Sequence, residues 1–65
     1  MSDYKERMKH EHKELKAKVE ALGAFIHGNE IFSTLDDIER ADMIKQYGFM
    51  EAYLRILDSR IWRAK

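Results

Sequence analysis

The 65-residue chain contains no cysteine and no proline, has only three glycines, and carries no long apolar run. Without cysteine there is neither a disulfide staple nor a thiolate metal site. Without proline nothing forces a kink or a stop on a helix. No apolar stretch approaches the roughly 18 residues that a bilayer span requires. The opening MSDYKERMKHEHK is charged throughout and lacks the apolar centre of a secretory signal. These absences lead us to expect a soluble, intracellular protein with no membrane attachment. Gly23, Gly28 and Gly48 are scattered, so no glycine-rich phosphate loop can form. Formal net charge is zero. That removes the basic excess of a nucleic-acid binder and the acidic excess of a DNA mimic, so nucleic acid is not an expected partner.

What is abundant is helical periodicity. Met8, His12, Leu15, Val19, Leu22 and Ile26 fall alternately three and four residues apart, as do Arg40, Met43, Tyr47, Met50, Leu54, Leu57 and Ile61. Each set is the a/d seam of a helix packed against another helix. Ser2 or Asp3 can cap the first helix, with Glu6 at capping-box spacing, and Asp36 with Glu39 repeats the device before the second. Gly28-Asn29 supplies a stop, since both residues tolerate the left-handed conformation that ends many helices. Between the helices, Asn29 can cap a single turn whose Ile31, Phe32 and Leu35 fold down over the end as a plug.

The expectation is one all-α domain over residues 1–65, with a helix over about 3–27, a connector over about 29–36 and a helix over about 37–63. Two long helices of about 40 Å joined by a short apolar turn specify an antiparallel helical hairpin. A chain this small has a marginal core, and with no disulfide or metal available the remaining remedy is self-association. We therefore expect hairpins to assemble into a homo-oligomeric helical bundle. Its seam would be Leu15, Val19, Leu22, Ile26, Met43, Tyr47, Met50, Leu54, Leu57 and Ile61.

Charge is unevenly placed despite the zero total. From Ala21 to Asp42, five acids face only Arg40; from Met43 onward, five bases face Glu51 and Asp58. In a hairpin the turn end is acidic and the open end basic.

Catalytic chemistry finds little to work with. His10 and His12 lie on different faces of a helix, and His10 with Glu14 lacks the further ligands zinc requires, so no metal site is expected. Ser2, Ser33, Thr34 and Ser59 occupy cap or solvent positions, and capping accounts for most of the acidic cluster at Asp36, Asp37 and Glu39. We expect no enzyme and no cofactor. The informative surface is a second stripe on the last helix: Phe49, Tyr53, Ile56 and, a little further round, Trp62, beside Arg55, Arg60 and Arg63. Aromatics with arginine are the residue types of binding hot spots, and they also stack on bases and pair with phosphates. The competing account is that the stripe is oligomer interface and nothing more.

The run Phe25-Ile26, then Phe32, Leu35, Glu39, Gln46, Met50, Tyr53 and ILDSRI from Ile56 to Ile61, resembles the short helical-hairpin proteins of crAss-like and other tailed phages and prophages. The resemblance covers most of the chain, from about Glu6 to Trp62. Tyr47 and Gly48 depart from it, standing where that group is more often aliphatic and alanine-like. No catalytic or ligand-binding residue carries over. What the resemblance implies is a small accessory protein made in an infected or lysogenic bacterium. By analogy such a protein binds a host protein, including a component of antiviral defence. The alternatives are an oligomeric sponge for a nucleotide-like signal, in which Arg55, Arg60 and Arg63 pair phosphates while Tyr53 or Trp62 stacks on the base, and a purely structural oligomer.

Overall fold

A computed structural model describes residues 3–64. They form α1 (Tyr4–Gly28), α2 (Glu30–Thr34) and α3 (Asp37–Arg63), and α1 packs antiparallel on α3 in a rod 46 Å long and about a third as wide. The two long helices with a short helical turn between them are the all-α hairpin that the periodicity predicts.

Each helix start is built by one local side chain. Asp3 accepts from the Glu6 N–H at 3.0 Å, Asn29 from the Ile31 N–H at 2.8 Å, and Asp36 from the Glu39 N–H at 2.8 Å. Each bond satisfies a donor that the first turn would otherwise leave without a partner. The alternative cap Ser2 lies outside the described residues.

The stop after α1 differs from expectation. Neither Gly28 nor Asn29 is left-handed; Asn29 is extended, with φ −100° and ψ 126°. The physical reason is that Asn29 serves two helices. Its N–H closes α1 onto the Phe25 carbonyl at 3.2 Å while its side chain opens α2. An N-cap residue needs extended backbone, and that need overrides the left-handed stop. The apolar plug is also only partly as expected. Phe32 and Leu35 are half-buried, with Phe32 edge-on to Phe25 at 6.1 Å, but Ile31 points outward and is exposed.

The core is short and runs along the middle of the rod toward its open end. Met8, Leu15, Val19 and Leu57 are buried, Leu57 completely, and Tyr47, Met50 and Leu54 pack against the cluster around Leu57. The other seam positions, Leu22, Ile26, Met43 and Ile61, are half-buried, as is His12. A two-helix rod covers each seam from one side only, so these residues keep a wet edge.

Nearer the turn the helices are indexed by an aromatic seat. Gly23 is buried, and the Tyr47 ring lies over it so closely that a Cβ at position 23 would fall 2.8 Å from Cε1. The same ring meets His27 edge-on at 5.9 Å. Glycine inside a helix costs about 1 kcal/mol relative to alanine, and here that cost secures close approach. Near the open end His12 Nε2 and Asp58 Oδ1 meet at 2.5 Å, a second tie between α1 and α3.

Gly23→Ala should therefore fail to deliver its helix-propensity gain in the native protein, yet raise stability by about 1 kcal/mol in a Tyr47→Ala background. A denaturant double-mutant cycle reads the difference. Equal gains in both backgrounds would mean that the ring is not seated on Gly23.

Candidate binding surfaces

On α3 the helix turn of 3.6 residues decides which side chains share a face. Starting from Phe49, residues Ile38, Ile56 and Arg60 lie within roughly 20° of it around the axis, and Lys45, Tyr53 and Arg63 within roughly 40°. Phe49 and Ile38 are each 75% exposed, and Ile56 and Tyr53 are also exposed. This face runs the length of α3 beside the buried seam. Phe49, Met50 and Tyr53 with Asp42, Lys45 and Gln46 line a shallow open groove at its centre.

Trp62 and Arg55 do not join it. They lie roughly 120–140° away, on the opposite flank of the seam, close in azimuth to the exposed Ile44. The arrangement expected from the sequence therefore separates into two: Phe49, Tyr53, Ile56, Arg60 and Arg63 are brought together, whereas Arg55 and Trp62 face elsewhere. Trp62 follows Phe49 by 13 residues, about 3.6 turns, which leaves its side chain roughly 140° round the axis.

At the open end of the hairpin the two helix ends meet. Tyr4 and Met8 from α1 and Arg60 and Arg63 from α3, with Ala64, line a notch; Lys5 and Lys9 border the adjoining crevice against Ile61. Arg63 donates to Ser59 Oγ at 3.1 Å, one turn back along α3. That bond leaves most of its five N–H donors available. The notch joins an aromatic ring, two guanidinium groups and two nearby ammonium groups. Chemically it can hold an anion, with the ring giving a surface for a flat group. Sequence reasoning missed Tyr4, because only the antiparallel register of residues 59 positions apart brings it beside Arg63.

The acidic cluster at the other end is occupied by the architecture. Asp36 caps α3, and Arg40 pairs with Asp37 and reaches the Ser33 carbonyl at 3.5 Å. Arg40, placed on the seam by spacing, is thus half-buried as a tie between α2 and α3. His10 meets Glu14 at 3.1 Å, both exposed. Among the described residues no group of three or more His, Cys, Asp or Glu side chains could hold a metal ion, and no helix is long and apolar enough to cross a membrane.

Among the described residues, Asp3 and Tyr47 have shifted titration. The N–H of Glu6 that bonds the Asp3 carboxylate holds its pKa below the usual range. Desolvation against the seam pushes the Tyr47 hydroxyl above its ordinary value, and the neighbouring Glu51 carboxylate pushes it the same way. A tyrosine whose pKa is raised on folding keeps its proton longer in the folded state. Its contribution to stability is whole below the ordinary value of 10.0 and is lost as pH rises through the folded value. Tyr47→Phe should therefore flatten the fall in stability above pH 10, measured as melting temperature against pH beside the native protein. Parallel curves would remove Tyr47 from the alkaline transition.

A family model described as Sequestin matches residues 2–63. Nothing among the curated proteins or the solved structures matches the chain.

Proposed function

The chain belongs to the Sequestin family, and from that membership and the notch at its open end we propose a non-catalytic protein that sequesters an anionic, nucleotide-like signal. The family's name speaks of sequestering, which is an act of binding without conversion. The observation that carries the ligand class is the convergence of Tyr4, Arg60 and Arg63 on one notch. Guanidinium groups pair phosphate oxygens in a fixed fork, and an aromatic ring stacks on a base. Lys5 and Lys9 add positive charge close by. In this reading Arg55 and Trp62 are not part of the ligand site.

The phage-protein resemblance supplies the setting. We place the protein in the cytoplasm of an infected or lysogenic bacterium, where holding a host signal would blunt antiviral defence. A trap of this kind needs stoichiometric amounts and fast capture rather than turnover, and a short chain with an open notch meets both requirements.

The second reading is capture of a host protein through the α3 face, favoured by the 75% exposure of Phe49 in a row with Ile38 and Ile56. Apolar residues of this size so exposed mark surfaces made to be covered.

Ligand capture predicts thermal stabilisation of the purified protein by cyclic or linear nucleotides, with a gain of about 2.7 kcal/mol when ligand stands at a hundred times its Kd. Arg63→Glu with Tyr4→Ala should abolish the shift while circular dichroism stays helical. No shift across a millimolar nucleotide panel would overturn the ligand reading. Loss of co-purifying host protein on Phe49→Ser, with helicity intact, would put the second reading in its place.

A further inference from the structure

We infer that the exposed face of α3 is a self-association surface, and that its occupant is the same face of a second copy running antiparallel. The inference stands on this face, independent of the ligand, and gives it to a second copy in place of the host protein of the second reading.

The face repeats at heptad spacing. Ile38, Asp42, Lys45, Phe49 and Ile56 fall four, three, four and seven residues apart, with Ala52 at the intervening position. This is a coiled-coil seam beside the one that joins α3 to α1, and within the hairpin it has no cover: Ile38, Phe49 and Ile56 are all among the exposed large apolar residues.

Charge decides the direction. A parallel pair in register would set Asp42 against the partner's Asp42 and Lys45 against the partner's Lys45, and would join acidic end to acidic end. Like charges opposed on a packed seam are destabilising. An antiparallel pair lays the acidic end of one hairpin along the basic end of the other. With the axis between Met50 and Glu51, Asp42 comes beside the partner's Arg60, and the aliphatic stem of Lys45 crosses the partner's Ile56.

Size complementarity selects the same register. Phe49 then faces the partner's Ala52 twice over, a large residue against a small one, which is how facing helix layers fill space.

In this register Arg60 turns one edge of its guanidinium to the partner's acid and Arg63 comes across from the partner's Ile38, so the pair borders the notch on its α3 side, while Tyr4, on α1, lies outside the contact.

Two measurements on the ligand-free protein test this. Native mass spectrometry should show a dimer. Asp42→Arg or Arg60→Asp alone should weaken it at least tenfold, and the double swap, which restores opposite charges across the twofold, should recover most of the loss. A spin label on Asp37→Cys, the only cysteine in the chain, should report about 40 Å between the two labels in an antiparallel pair, against about 10 Å in a parallel one. A monomer at micromolar concentration, a short label distance, or a double swap no better than the singles would overturn the inference. Phe49→Ser checks the apolar contribution separately: it should yield a helical monomer, and a persisting dimer would move the interface off this face.

Discussion

The packing of α1 on α3 turns on Leu57. Among the described residues it is the one large side chain with no exposure at all, held against α1 where Leu15 and Val19 meet it. A fully buried leucine contributes about 1.5–3 kcal/mol relative to an exposed one, which for a domain of this size is a large share of net stability. The remaining seam residues are half-covered and add less. Two polar or aromatic ties then fix how the helices are aligned along the rod: the Tyr47 ring over Gly23 toward the turn, and His12 against Asp58 toward the open end. With the cluster around Leu57 between them, sliding one helix by a single residue would break both ties at once.

That alignment is what creates the surfaces. Tyr4 has no relation to Arg63 in sequence, yet the register that seats Tyr47 on Gly23 also brings the start of α1 beside the end of α3. The notch is a consequence of core packing, not of a local motif. The exposed face of α3 has the opposite origin, since it is a helical stripe that exists whatever α1 does. One hairpin has a single partner for α3, and a helix with apolar residues on two flanks always leaves one uncovered.

These two origins explain how much was legible in the sequence. The caps at Asp3, Asn29 and Asp36 act within three residues and could be read directly, as could both seams, which repeat over several turns. The stop at Asn29 is not legible from Gly28-Asn29, because one residue serves two helices and the demands of the second prevail. Hydrophobicity alone places Ile31 in the plug, but a helix of five residues turns Phe32, not Ile31, inward and toward Phe25. The exposed face of α3 was half legible. Phe49, Tyr53, Ile56, Arg60 and Arg63 share a flank at helical spacing, whereas Trp62, expected only a little further round, lies on the opposite flank. Tyr4 could not be found, because no periodicity connects residues on different helices.

The uneven distribution of charge along the rod has a consequence for how the protein moves toward anything it meets. The acidic turn and the basic open end lie at opposite ends of a 46 Å axis. A molecule with no formal net charge, and an isoelectric point near 6.8, is nonetheless a strong electric dipole. It feels no net pull in a uniform field but turns in one, so an approaching anion meets the basic end first and a cationic surface meets the turn. Its encounters are therefore governed by orientation rather than by attraction at a distance, and added salt would slow them by removing the torque, although there is no overall charge to screen.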